Sequence, residues 1–274
     1  MTHPIKTFWW RWKYPHRLNF GDELTPPLVE RLTGRRVVWA APDKCDLVGA
    51  GSVIQMILRR QAENQPRIWG AGFIQAADGS EQRAQLHVLA VRGTSSLGRV
   101  DNLSPGPIAL GDPGILAPLF LDRAVKKRYS LGVIPHYHDA ASPVVEQMRN
   151  LGSGVRIIDV AWTPQEVARE IASCDAVISS SLHGLIFSDA LGVPNAHIRL
   201  GDGVRGGLYK FHDYYSAYSA HSADPSVDRY REYVVPAGGP GSLRAVMDAV
   251  TEGYVEPVGL DALQQGLVRA LRDI

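Results

Sequence analysis

Apolar residues run through this chain in short blocks, and most blocks are followed by a longer stretch whose apolar positions recur every three or four residues. Blocks bounded by glycine or polar residues predict strands at 5–10, 36–40, 46–48, 67–71, 86–91, 108–110, 130–134, 155–160, 175–179 and 196–200. The periodic stretches predict helices at 22–32, 53–61, 92–100, 113–120, 144–151, 164–172, 182–191, 242–250 and 260–272. Strand and helix alternate, which predicts an α/β fold with largely parallel strands, since parallel neighbours need a long crossover. Local signals agree. Thr163-Pro164-Gln165-Glu166 reads as an N-cap, a proline at the first helical position and an acid in the first turn. Gly152 and Gly192 read as helix stops.

The polar, basic stretch 122–128 breaks this pattern, and the glycine- and proline-rich run 236–241 breaks it again. The expected organisation is an α/β domain at 1–124, a second at 125–235, and terminal helices at 236–274. Two such halves would open a cleft between the carboxyl ends of their strands, where ligands bind in this architecture.

Composition narrows the function. The chain has 274 residues and a formal net charge of +1, so it lacks the basic field that duplex nucleic acid demands. A small anion needs only a few local cations and stays in play. Cys45 and Cys174 are far apart in apolar surroundings and read as buried thiols of a reducing compartment. No apolar run is long enough to span a membrane, and the N-terminus lacks a signal-peptide pattern, so a cytoplasmic protein is expected. The aromatic and basic run 8–13 has two readings: a buried first strand whose charged heads snorkel, or a patch that touches a membrane face.

Candidate chemistry collects at strand ends. Asn19-Phe20-Gly21-Asp22-Glu23 opens a helix, where Asp22 either caps it or faces the cleft as a general base. Gly49-Ala50-Gly51-Ser52 and Gly70-Ala71-Gly72 are glycine turns that serve packing or let a ligand approach the backbone; neither completes a dinucleotide fingerprint. In Val91-Arg92-Gly93-Thr94, an arginine stands over a helix start, a good place for a phosphate or carboxylate. Asp112, in Gly111-Asp112-Pro113, reads as an N-cap. The sharpest signal is Ser179-Ser180-Ser181-Leu182-His183-Gly184, an apolar strand running through serines into a histidine in the first turn of a helix. The helix dipole disfavours an imidazolium there, so an acid role for His183 needs a nearby anion. Arg199, Arg205 and Lys210 flank the glycine-rich loop 201–207, which suits closure over an anion. His136-Tyr137-His138 suggests contact with a sugar or phosphate; a metal is not expected, because no third ligand matches.

In order and spacing these segments resemble the polysaccharide pyruvyltransferase family, in particular the ketal pyruvate transferases of xanthan and succinoglycan synthesis. The segments that carry the likeness are Asn19-Phe20-Gly21-Asp22-Glu23, Gly51-Ser52-Val53, Trp69-Gly70-Ala71-Gly72, Val91-Arg92-Gly93, Gly111-Asp112-Pro113 and Ser180-Ser181-Leu182-His183-Gly184. The resemblance implies two Rossmann-like domains arranged as in glycosyltransferase-B enzymes. It also implies phosphoenolpyruvate as donor, with no further cofactor, and a lipid-linked oligosaccharide as acceptor at the inner membrane face. It places Asp22 and His183 in the chemistry and Arg92 on the donor, helped by Ser180 and Ser181, with Lys210 or Arg205 as the second cation. Gly51, Ser52, Gly72 and His136 would line the rest of the cleft. Two rivals stay open: a nucleotide-sugar glycosyltransferase on the same fold, and a non-catalytic scaffold of polysaccharide assembly.

Overall fold

The computed structural model describes residues 3–11, 18–60, 65–79, 82–201, 206–219, 229–272 and 274. Two sheets divide the chain, and every strand pairing in them is parallel. The first holds β1 (Ile5–Phe8), β2 (Val37–Trp39), β3 (Leu47–Val48), β4 (Arg67–Trp69), β5 (Ala84–Val91), β6 (Val100–Asn102) and β7 (Ala109–Leu110). Its order is β2-β1-β3-β4-β5-β6, with β7 pairing the far end of β5. The second holds β8 (Tyr129–Ile134), β9 (Val155–Ile157), β10 (Cys174–Ser179), β11 (Asn195–Ile198) and β12 (Glu232–Tyr233), in the order β12-β11-β10-β8-β9.

Both orders reverse direction once. In the first sheet the chain steps from β1 outward to β2 and then crosses to β3. In the second it steps from β8 to β9 and then crosses to β10. Helices that follow strands on the two sides of such a reversal cover opposite faces, which leaves a crevice at the carboxyl ends. One crevice is flanked by α1 (Phe20–Glu23) and the turn after β3; the other by the turn after β8 and α7 (Leu182–Ala190).

The helices follow their local chemistry. α6 (Pro164–Ala172) has the complete capping box between Thr163 and Glu166. Gly152 and Gly192 have φ of 128° and 65°, the left-handed turn that ends a helix. α2 (Thr25–Thr33) and α3 (Ile54–Arg59) cover the first sheet, α5 (Pro143–Arg149) packs beside β9, and α4 (Thr94–Leu97) is a single turn after β5. α9 (Leu243–Thr251) lies on the second sheet, whereas α10 (Leu260–Ala270) returns to the first, where the Trp69 indole donates to the Leu267 carbonyl. A core around Phe20, Phe120, Phe187 and Leu267 is shared by elements of both halves. Phe187 packs edge-on against Phe20 and stacks on Phe120.

Four local expectations change. The helix expected at 22–32 is broken at Leu24, because Pro26 and Pro27 restart it as α2. The 113–120 segment is a 3-10 helix, with Pro118 inside it denying an α-helical hydrogen bond. β6 and β12 are short added edge strands. Finally, α8 (Tyr209–Ser219) stands just after the loop read as basic and mobile. Its Lys210, Phe211, Asp213, Tyr214, Tyr215, Ala217 and Tyr218 are all buried. A helix packed nearly all round shows no apolar stripe in its sequence.

Phe8 and Trp9 are buried and Trp10 is half exposed, as a packed first strand requires, while Trp12 and Lys13 lie outside the described residues. Cys45 and Cys174 are buried free thiols, each pushed up to about 12 by burial. No helix among the described residues is long and apolar enough to cross a membrane.

Candidate active site

α1 and α7, which flank the two crevices, lie against each other. Asn19 caps α1, its side chain accepting from the Gly21 amide at 3.0 Å. Asp22 is therefore relieved of capping, and its carboxyl is left for the crevice. The Phe20 amide donates to the Val160 carbonyl at 2.9 Å, which fixes α1 to the second half. Across from it, Ser181 is the N-cap of α7, its hydroxyl makes no capping bond, and His183 sits in the first turn. Gly21 lies flat on the His183 imidazole; any side chain there would occupy the place of Nδ1 and Cγ. Gly51 is the other neighbour of Asp22: with φ of 104° it turns the chain sharply, and a Cβ there would stand 3.8 Å from Oδ1.

Asp22 is surrounded by Glu23, His183 and Lys210, and burial raises its pKa to about 7, partly offset by the charge of His183. A carboxyl with that midpoint exchanges protons near neutral pH. Folding must then tolerate an ionised carboxylate in poor solvent. The stabilising protonated state is present below the unfolded value of 3.8 and is lost as pH rises towards 7. Asp22→Asn should therefore raise the melting temperature at pH 8 and leave it nearly unchanged at pH 4, a comparison that calorimetric scans at the two pH values will check.

Lys210 enters from α8. It is 8% exposed, its ammonium makes no hydrogen bond or ion pair among the described residues, and its Nζ stands 5.4 Å from the Phe211 ring. Burial, followed by the charge of Arg92, lowers its pKa to about 8, while Asp22 and Asp139 act the other way. The same charge reaches His136, whose pKa burial and Lys210 lower to about 3. Ser180 ties this side together. Its hydroxyl donates to Asp139 at 2.6 Å and accepts from the His136 amide at 2.8 Å, which locks the turn after β8 onto the end of β10. Beyond Asp139 and Ser180 opens a cavity of about 250 Å³, also lined by His197, Arg199 and Phe211.

Arg92 departs from its expected place. It does stand over the start of α4, but the anion there is the protein's own Asp213, supplied by α8. Arg92 Nε donates to Asp213 Oδ2 at 2.9 Å, and the Ser96 amide and hydroxyl donate to the same carboxylate at 2.8 and 2.6 Å. Nη1 donates to the Ser52 hydroxyl and Nη2 to the Phe73 carbonyl, both at 2.6 Å, so Ser52 is spent on Arg92. The guanidinium is fully buried. Gly72 leaves room for it, and Gly93 lets the α8 backbone come so close that a Cβ would overlap the Asp213 carbonyl. Of the expected cleft residues, Asp22, His183, Lys210, Ser180, Ser181, His136 and Gly51 gather around the two crevices; Arg92, Ser52 and Gly72 form the wall behind Lys210. Arg205 lies outside the described residues.

Asp112 is the residue whose position the sequence did not reveal. It caps the 3-10 helix, accepting from the Gly114 amide at 2.9 Å, yet its Oδ1 also lies 3.5 Å from His183 Nε2. Among the described residues, no three His, Cys, Asp or Glu side chains cluster as a metal would need.

Known proteins are similar to this chain. An uncharacterized protein of Acanthamoeba polyphaga mimivirus is 27% identical over 222 residues, covering 79% of this chain and 75% of that protein. The succinoglycan biosynthesis protein ExoV of Rhizobium meliloti is 28% identical over 193 residues, 69% of this chain but only 58% of its own length. The family model described as polysaccharide pyruvyl transferase matches residues 6–202, which carry both crevices, Asp22 and His183, and on that match the chain belongs to the polysaccharide pyruvyl transferase family.

Proposed function

We propose that this chain transfers the pyruvyl group of phosphoenolpyruvate to a sugar of a lipid-linked polysaccharide precursor, closing a cyclic ketal, in a cleft between two glycosyltransferase-B-like halves split near residues 124–125. The observation that carries the reading is Lys210. An ammonium on a buried side chain, with no hydrogen bond or ion pair among the described residues and set among Asp22, Asp139 and His136, favours an anion. Phosphoenolpyruvate brings a phosphate and a carboxylate. Lys210 would grip one of them, the Ser181 hydroxyl and the amides that open α7 would meet the other, and Arg92 would add positive potential from behind.

The chemistry follows from the residue types. His183 protonates the methylene carbon C3, and C2 becomes oxocarbenium-like. A sugar hydroxyl attacks C2 as its proton passes to Asp22. Phosphate then leaves with the C–O bond pair, a second hydroxyl closes the ring, and its proton departs with the phosphate. The proton taken by Asp22 returns to His183 through solvent, so the site is restored. General acid-base help of this sort contributes on the order of 10² to 10⁴ in rate.

Calorimetric titration tests the donor. Phosphoenolpyruvate should bind saturably and a nucleoside diphosphate sugar should not, and Lys210→Met should abolish the signal. Binding of the nucleotide sugar alone would replace this reading with a glycosyltransferase. The pH profile is a second check. With Asp22 needed as carboxylate and Lys210 as ammonium, kcat/KM should be bell-shaped with limbs near 7 and 8. A profile that falls steadily from pH 6 to 8 would remove Asp22 as base.

A further inference from the structure

Asp112 Oδ2 and His183 Nε2 are both buried without a hydrogen-bond partner among the described residues, and Nε2 stands 3.5 Å from the other carboxylate oxygen, Oδ1. The Asp112 carboxyl is wholly enclosed, and its Oδ1 is held by the Gly114 amide, so its direction is fixed. The imidazole is held too. Gly21 packs on the ring beside Nδ1, Phe20 meets the ring edge-on with centroids 6.2 Å apart, and the side chain is 12% exposed. The imidazole nitrogen that faces this carboxylate is thus the enclosed, unpaired one, and an unpaired polar atom in a dry site is costly.

We infer that Asp112 is the positioning residue for His183. It accepts the Nε2 proton, so the neutral ring carries hydrogen on Nε2, and Nδ1 faces the crevice on the side of Gly21 and Asp22. Asp112 also supplies the anion that an imidazolium needs at the start of α7, whose N-terminal field opposes positive charge. That anion is part of the fold and is in place before any donor phosphate arrives. The inference rests on the pyruvyl-transfer reading only for the destination of the proton. In that step the Nδ1–H bond breaks and the C3–H bond forms with the π electrons of the C2–C3 double bond. The ring ends neutral with its proton on Nε2, and Asp112 stays ionised throughout.

The ring nitrogens can be read directly. In protein labelled with ¹⁵N at histidine, with His183 assigned by its absence in His183→Gln, long-range correlation spectra should show the Nε2–H tautomer. Asp112→Asn keeps the acceptor for the Gly114 amide but removes the charge; it should give a mixed or inverted tautomer and a kcat lower on the order of 10²-fold, with KM for phosphoenolpyruvate nearly unchanged. A wild-type ring protonated on Nδ1 would overturn the inference, and that measurement needs no variant to fold. A folded Asp112→Asn protein with unchanged tautomer and kcat would overturn it as well. The two readings fail separately. An Nε2–H tautomer lost in Asp112→Asn, in a protein that does not consume phosphoenolpyruvate, keeps the pair and removes the donor. Turnover of phosphoenolpyruvate with an unperturbed tautomer does the reverse.

Discussion

Asp213→Ala should lower the free energy of unfolding by about 3–5 kcal/mol, as removal of one partner from a buried ion pair does. Both side chains of the Arg92–Asp213 pair have no solvent exposure, and the carboxylate also receives the amide and hydroxyl of Ser96. Alanine would leave a buried guanidinium and an amide without that acceptor. Urea denaturation of the wild type and of Asp213→Ala measures the difference. Arg92→Ala together with Asp213→Ala should cost less than the sum of the two single changes, since each alone strands the other's charge. A loss below about 1 kcal/mol for Asp213→Ala would mean that the pair contributes little net stability.

His183→Ala should reduce kcat on the order of 10³-fold while leaving donor affinity within a few-fold of wild type. The ring stands where its field reaches Asp22, and its removal takes away the proposed acid while leaving Lys210 and the Arg92–Asp213 pair in place. The fold should persist, because α7 is anchored by Leu185, Ile186 and Phe187 in the shared core. Phosphate release from phosphoenolpyruvate with membrane-derived acceptor measures kcat, and calorimetry measures affinity. Normal turnover in this variant would sink the acid role.

The strands and most helices were legible because each obeys a local rule. Parallel strands buried on both faces are short apolar runs, and α6 announces itself through Thr163, Pro164 and Glu166. The crevices were legible for the same reason, since glycines, serines and histidine stand where strands end. Asp22 shows where local reading stops. Whether it caps turned on Asn19, which takes the capping role itself. Arg92 shows it more strongly. The residue answering its charge is 121 positions away, on a helix whose tyrosines carry no amphipathic period. Tyr214 and Tyr218 are hydrogen-bonded to each other, and Tyr214 also donates to the buried Asp189, so tertiary contacts outweigh the weak helix propensity of those residues. The link between Asp112 and His183 has the same origin: it exists only once the two sheets are brought together.

The attachment of α8 bears on how such proteins can be cut and recombined. The match to the family model ends at residue 202, yet Lys210 and Asp213 lie after it. A chimera that exchanged only residues 6–202 would keep every glycine turn and the histidine. It would also inherit Arg92 with a foreign helix in front of it, and Gly93 with a gap or a clash where the Asp213 backbone should rest. A graft that keeps Arg92 with its own acceptor therefore needs α8 as well as residues 6–202, and its crossover point belongs after Ser219.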